Sequence, residues 1–295
     1  MRKAIPLVLL LTLVWGTNWP LFPIAVREVS VWTFRAVSLA GAGLMLLAVA
    51  RARGESLRVP RAHWPTMLAA AMTYLVVWNV ASTYSAILIP SGQAAILGFT
   101  MPLWAALMAW AFLGQRAGTR VLLALAFGGA GVLLLIVNGI DAYAKAPLGF
   151  ALGLLAGLGW AAGTLILKRR PIPVPAVVLT GWQLLLAAVP LTMGAFWFGE
   201  PGWFMPSGTT LFVIAYITLV PMAIGNLCWF AIVGLLPGNI AGLSAVMVPV
   251  VAMVAGALIH AEPLGLAQWV SMVCCAVGAA LALLQPAAKL RPAGS

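Results

Sequence analysis

Apolar residues run through this chain in long blocks and do not alternate with polar ones. Ten blocks can be cut at Pro, Gly and charge clusters, near 4–25, 31–50, 64–88, 91–112, 121–138, 148–167, 176–198, 209–234, 239–259 and 267–284. Each is close to the roughly 20 residues an α-helix needs to cross a hydrocarbon core. Only Ile89-Pro90 divides the third block from the fourth, and only residues 235–238 divide the eighth from the ninth. Proline disfavours helix in the residue before it, so both places read as tight helical hairpins. The pattern predicts an all-α polytopic membrane protein with ten transmembrane helices.

Composition removes the soluble alternatives. Of 295 residues, 64% are hydrophobic and 7% charged, with a mean hydropathy of +1.09. A soluble domain carries about 25% charged residues, enough to cover its surface. Arg2-Lys3 before an apolar stretch mimics a signal peptide. The stretch continues past Trp15-Gly16-Thr17-Asn18 without a small-residue cleavage site, so it reads as a retained first span. Cys228, Cys274 and Cys275 all fall inside apolar runs and build neither a disulfide framework nor a zinc pattern. No metal or cofactor is implied.

The net charge of +11 reports orientation in such a chain and does not point to nucleic acid. With a cytoplasmic N-terminus, the inner connections hold Arg2, Lys3, Arg51, Arg53, Arg58, Arg61, Arg116, Arg120, Lys168, Arg169, Arg170, Lys289 and Arg291. That leaves Arg27 and Lys145 outside and Arg35 within the second span. Both termini are therefore expected inside.

The chain also repeats. A shift of 147 residues places Asn79 on Asn226, Pro90 on Pro237, Pro102 on Pro249 and Gly131 on Gly278; a shift of 145 places Trp15 on Trp160. Residues 1–144 and 145–295 are thus expected to form two five-helix repeats, the second with a short basic tail. Five is odd, so the second copy enters the membrane from the opposite side. Inverted repeats of this kind are a transporter architecture with a substrate site near the midplane.

Trp15-Gly16-Thr17-Asn18, Arg35 after Trp32-Thr33-Phe34, Pro102 and Glu262-Pro263-Leu264 resemble the EamA-like repeat of the drug/metabolite transporter superfamily. The first half carries Gln115-Arg116 where the second has Glu262-Pro263, so the acidic element occurs once. The general impression is similar to bacterial exporters of the YddG type. That resemblance implies export of aromatic amino acids across the bacterial cytoplasmic (inner) membrane, by a monomer or weak homodimer whose partners are a small-molecule substrate and the lipid bilayer.

A transport cavity needs polar or aromatic groups at membrane depth. In span one, Trp15, Asn18, Trp19 and Phe22 share a helical face. Span three offers Tyr74, Trp78, Asn79, Ser82 and Ser85, and span four Gln93, Thr100 and Trp104. The second half offers Trp160, Thr164, Asn226, Trp229 and Ser244. The cavity set is Trp15, Asn18, Tyr74, Trp78, Asn79, Ser82, Gln93, Thr100, Trp160, Thr164, Asn226, Trp229 and Ser244. Each has a plainer reading: Trp packs or sits at an interface, as position suggests for Trp32, Trp64, Trp203 and Trp269. Ser and Thr bond back to their own helix. Asn79 and Asn226 serve helix adhesion as readily as substrate contact.

Arg35 reads as a structural ion pair with Glu28, Glu200 or Glu262, or as an outer gate that attracts a carboxylate. No Asp or Glu lies deep in a span. Facilitated movement is therefore expected, with a proton-coupled drug or metabolite transporter of the same fold as the alternative. Pro20, Pro102 and Pro249 are expected hinges, with Pro23, Pro190 and Pro221 as further bends. Gly149, Gly153 and Gly157, four apart, let span six approach a neighbour closely. An intramembrane enzyme would have only Ser91 and His260 to work with, in different halves. The chain reads as a transporter and not an enzyme.

Overall fold

The computed structural model describes residues 4–114, 118–200, 202, 204–236, 245, 247–260 and 264–283. Among them every regular element is helical. Eight helices are long and apolar enough to cross a membrane: α1 (Ile5–Ala25), α2 (Val31–Ala52), α3 (Arg61–Leu88), α4 (Gln93–Phe112), α5 (Thr119–Asn138), α6 (Pro147–Arg169), α7 (Ala176–Phe198) and α8 (Gly208–Leu235). Two shorter apolar helices follow, α9 (Val248–His260) and α10 (Leu266–Leu283). Leu44, Phe112, Phe212 and Leu258 point outward, whereas Arg35, Ser38, Asn79, Ser82 and Gln183 are wholly buried. Hydrocarbon supplies no hydrogen-bond partner, so the polar groups turn inward and the apolar ones meet lipid.

Several helices are interrupted, most of them where the sequence removes a backbone donor. α1 is regular to Gly16, turns at Thr17-Asn18, and passes through a 3-10 turn at Trp19–Leu21 before the helical Phe22–Ala25. Pro20 and Pro23 cannot donate to the carbonyl four residues back, which ends the α-pattern there. α4 breaks between Gly98 and Met101, and Pro102 is the second residue of the resumed helix. Pro249 holds the same place in α9. α3 and α8 each contain a wide π-turn, at Ala71–Val76 and Thr218–Gly225. Pro221 accounts for the second; no neighbouring residue accounts for the first.

These features recur 147 positions apart. The π-turns begin at Ala71 and Thr218, and the helices after the breaks at Met101 and Val248. Asn79 donates Nδ2 to the Leu75 carbonyl at 2.7 Å, and Asn226 to the Met222 carbonyl at 2.9 Å. Ile89 and Leu236, each before a proline, are both extended. Ile89 thus makes the hairpin expected between the third and fourth spans. Ser244, Glu262, Pro237, Trp203 and Gln115-Arg116 lie outside the described residues, as do the side chains of Ser91 and His260.

Packing repeats in the same way. The two most extensive pairings set α2 along α7 and α5 along α10. α1 packs on α8 and α9, and α6 packs on α3 and α4. α2 meets the wide turn of α8, and α7 meets that of α3. α6 comes close through its glycines: Gly149 faces Leu88 and Ile89, Gly153 faces Leu97, and Gly157 faces the Gly98 carbonyl where α4 breaks.

Two carboxylates tie the halves together at one end of the bundle. Glu28, just before α2, accepts hydrogen bonds from the backbone N–H and the hydroxyl of Ser207, both at 2.6 Å. Ser207 is the N-cap of α8. Glu200, just after α7, accepts from Thr33 Oγ1 at 2.7 Å and from the backbone N–H of Ser30, the N-cap of α2. Each acid sits at the N-terminus of a helix from the other half, where the helix dipole also favours negative charge. The Ser207 bonds hold the Glu28 carboxyl below its ordinary value. For Glu200 partial burial acts upward, but the Thr33 hydroxyl and backbone donors outweigh it and the value is again lowered.

Two outcomes are expected. A β-carbon on Gly157 would lie 2.8 Å from the Gly98 carbonyl oxygen and 2.9 Å from Thr100 Oγ1. Gly157→Ala should therefore lower unfolding stability in detergent by about 1–3 kcal/mol. Gly208→Ala, with open space around it, should leave the melting curve in place. The second concerns the carboxylates. A group whose folded-state pKa lies below its unfolded value stabilises at neutral pH, and that stability is lost as pH falls through the folded value. Melting temperature should fall on acidification below the ordinary carboxylate value of 4.5. Paired Glu28→Gln and Glu200→Gln changes should flatten that fall.

Candidate substrate cavity

The interruptions of α1, α3 and α8 meet at the centre of the bundle. The turn in α1 presents Asn18, Trp19 and Phe22; the wide turn of α3 and the residues after it present Tyr74, Trp78 and Asn79; α8 presents Met222 and Asn226. With Trp15 and Phe99 these residues line one cavity. Its free volume is only about 10 Å³, room for a single water.

Trp160 of α6 closes the cavity floor and is wholly buried. Its ring touches five others, with centroid distances of 5.3 Å to Trp15, 4.8 Å to Trp78 and 4.8 Å to Trp229. Phe99 lies 5.4 Å away edge-on, and Tyr74 stacks at 5.9 Å with an interplanar angle of 15°. Trp19 extends the cluster through Trp78 and Phe99. Edge and stacked aromatic pairs contribute about 0.5–1.5 kcal/mol each beyond burial.

The polar atoms are less completely matched. Trp15 Nε1 donates to the Pro221 carbonyl at 3.1 Å, within the wide turn of α8. Tyr74 donates its hydroxyl to Asn226 Oδ1 at 3.2 Å, joining α3 to α8 across the cavity. Asn18 Oδ1, Asn79 Oδ1, Trp160 Nε1, Trp229 Nε1, Ser82 Oγ and Thr164 Oγ1 are buried without a protein partner among the described residues. A buried polar atom left unmatched costs about 1–3 kcal/mol. Of these six, the atoms of Asn18 and Asn79 belong to residues that line the cavity.

Trp15, Asn18, Tyr74, Trp78, Asn79 and Asn226 from the expected set line the cavity, and Trp160 and Trp229 pack beneath it. Ser82 and Thr164 are buried outside its lining. Gln93 lies elsewhere, against Gly139. Thr100 is used within the α4 break: its hydroxyl donates to the Leu97 carbonyl at 2.6 Å and accepts from Trp104 Nε1 at 3.1 Å. Phe99 and Met222 line the cavity without having been singled out; each sits at a helix interruption that a proline could have signalled, Pro102 three residues after Phe99 and Pro221 immediately before Met222. Gln183, wholly buried on α7 with both amide atoms unmatched, also escaped the sequence reading. Pro102 and Pro249 line one small apolar space with Gly128 and Gly129 of α5, so the two resumed helices face each other.

Arg35 does not pair with Glu28 or Glu200, because those carboxylates are engaged by serine and threonine at helix ends. Its Nε donates to Thr83 Oγ1 at 2.7 Å, and its guanidinium lies over Phe22. A second, larger space of about 450 Å³ opens at the end of the bundle that carries Lys168, between α6, α7 and α8. Phe230 lines it and meets Tyr74 at 6.0 Å. This ring pair joins the wall of that vestibule to the wall of the central cavity.

Comparison with known proteins completes the description. The profile of the EamA-like transporter family matches residues 2–137 and again residues 147–284. The chain is 27% identical over 263 residues to "Uncharacterized transporter YvbV" of Bacillus subtilis, covering 88% of this chain and 85% of that protein. It is 25% identical to "Uncharacterized inner membrane transporter YedA" of Escherichia coli, with 92% and 88% covered. It is 26% identical to the "Probable amino-acid metabolite efflux pump" of Escherichia coli, with 92% of each covered. A solved crystal structure superposes with a TM-score of 0.78 at 20% identity, covering 96% of this chain and 97% of the other, and so shares the fold.

Proposed function

Because the chain belongs to the EamA-like transporter family, we propose that this multi-pass inner-membrane transporter exports small amphipathic metabolites, aromatic and other hydrophobic amino acids above all. The observation that carries the reading is the cavity itself. Trp15, Trp19, Trp78 and Phe99 offer ring faces and edges to an apolar side chain, while Asn18 Oδ1 and Asn79 Oδ1 offer unmatched acceptors to an ammonium group. The efflux pump among the relatives bears a name in keeping with such a substrate.

Two inverted five-span halves, residues 1–144 and 145–295, would rock around this cavity, with α9 and α10 completing ten spans and both termini inside. The family match falls once in each half. The π-turns, back-bonded asparagines and proline-headed helices that recur 147 residues apart support the same reading. The vestibule beside Phe230 then lies on the cytoplasmic side, where substrate would arrive for export. No carboxylate lines the cavity among the described residues, which supports facilitated movement without proton coupling. A monomer or weak homodimer would carry out this transport.

Reconstituted protein should move labelled tryptophan, phenylalanine and leucine into liposomes faster than lysine, should ignore a phosphorylated sugar, and should do so with or without a pH gradient. Strict dependence on the gradient would establish proton coupling in place of facilitation. Asn79→Ala should lower tryptophan flux about tenfold, the worth of one hydrogen bond to a charged group. Trp160→Ala is the weaker probe, because losing a buried Trp costs about 3–5 kcal/mol of stability. Equal flux in the folded Asn79 variant would remove the cavity from the pathway.

A further inference from the structure

Arg35 is completely buried on α2. Its Nε is used on Thr83 Oγ1, and Thr83 in turn donates to the Asn79 carbonyl at 2.7 Å. The guanidinium carbon stands 4.2 Å from the centroid of the Phe22 ring and 4.5 Å from that of Phe34. Both terminal nitrogens, Nη1 and Nη2, have no protein partner among the described residues. No carboxylate among them reaches the guanidinium: Glu28 is held by Ser207, and Glu200 by Ser30 and Thr33. Aromatic rings on two sides recover only part of the cost of burying a charge. What remains is a fixed cation whose paired outer N–H groups match the two oxygens of a carboxylate.

Its position ties it to the cavity. Phe22 lines the cavity, and its ring also lies against the Arg35 guanidinium. That ring is carried on Phe22–Ala25, a four-residue helical piece beyond the break in α1. The Thr83 relay ends on Asn79, another cavity residue. We propose that Arg35 is the carboxylate subsite of the transported molecule, reached when Phe22 swings aside, with Thr83 as its positioning residue. An amino acid would then bind through three groups: ring on the tryptophans, ammonium on Asn18 and Asn79, carboxylate on Arg35. The proposal rests on the amphipathic substrate read above and adds an acid group as its requirement.

The test is calorimetric binding to the purified full chain in detergent, with tryptophan, tryptophanamide, indole-3-propionate and indole-3-propionamide as probes. The wild-type protein should bind each acid at least about tenfold more tightly than its amide, the worth of a charge-assisted bond. In Arg35→Met that preference should vanish, the acids falling to the level of the amides. Arg35→Lys, which keeps the charge but loses the fork, should retain a few-fold preference and covers the case in which the Met variant does not fold. Thr83→Val should weaken the acids more than the amides. A wild type indifferent to acid against amide overturns the proposal. So does a loss in Arg35→Met that is equal for acid and amide, the mark of a structural arginine. Failure of the amino-acid reading looks different: tryptophan would not bind, while the indole-3-propionate pair would still report on Arg35.

Discussion

Hydrocarbon offers a buried N–H or C=O nothing to bond, and most of this architecture follows from that constraint. Groups that cannot face lipid are matched between helices: Ser85 Oγ to the Gly149 carbonyl, Ser271 Oγ to the Gly131 carbonyl, and Trp182 Nε1 to the Leu57 carbonyl. Where α8 ends, the Leu236 carbonyl accepts from Lys168 Nζ at 2.5 Å. The widened turn of α8 leaves the Pro221 carbonyl to Trp15. Not every buried polar group is closed in this way: atoms of Asn18, Asn79, Trp160 and Arg35 are unmatched among the described residues, as are those of Ser38, Gln93 and Gln183.

The scaffold repeats, but the site within it does not. Tyr74 occupies the position in α3 that Pro221 occupies in α8, 147 residues later. On one side the Pro221 carbonyl bonds Trp15 Nε1; on the other, Trp160 stacks on the Tyr74 ring and its Nε1 has no partner. Asn226 Oδ1 is taken by the Tyr74 hydroxyl, whereas Asn79 Oδ1 is open. Arg35 has no basic counterpart, since the corresponding stretch of α7 carries Thr180 and Gly181. The two stretches matched by the family thus share helix interruptions but differ at Tyr74 against Pro221 and at Arg35.

Much of the frame was legible in the sequence because lipid makes the pattern coarse: length, hydropathy, proline and glycine suffice. Ile89 before Pro90 and the row of glycines on α6 behave as their chemistry dictates. Side-chain placement was legible only where a helix stays regular. Trp15, Asn18 and Trp78 could be read from periodicity, but Gln93 could not, since the break at Phe99-Thr100 separates its part of α4 from the part that follows. The π-turn in α3 has no proline to announce it. Glu28 and Glu200 do not pair with Arg35, because Ser207 and Ser30 offer those carboxylates helix N-termini, a local attraction that charge counting does not see; Glu262, the third expected partner, lies outside the described residues.

The free volume at the centre, about 10 Å³, is far below the roughly 300–1,000 Å³ of small-molecule sites, whereas the vestibule beside Phe230 reaches about 450 Å³. The central cavity is therefore tightly packed, whereas the space at the Lys168 end is roomy. Opening the cavity must separate rings, and every ring that walls it is carried next to an interruption: Trp19 and Phe22 at the α1 turn, Phe99 at the α4 break, Tyr74 in the α3 wide turn. A regular helix would have to bend or slide as a whole to move such a ring. A segment with its backbone bonds already broken can turn locally while α2–α7 and α5–α10 hold the frame. Prolines thus interrupt α1 and α4 beside residues that line the cavity, and α3 is interrupted at Tyr74 without one.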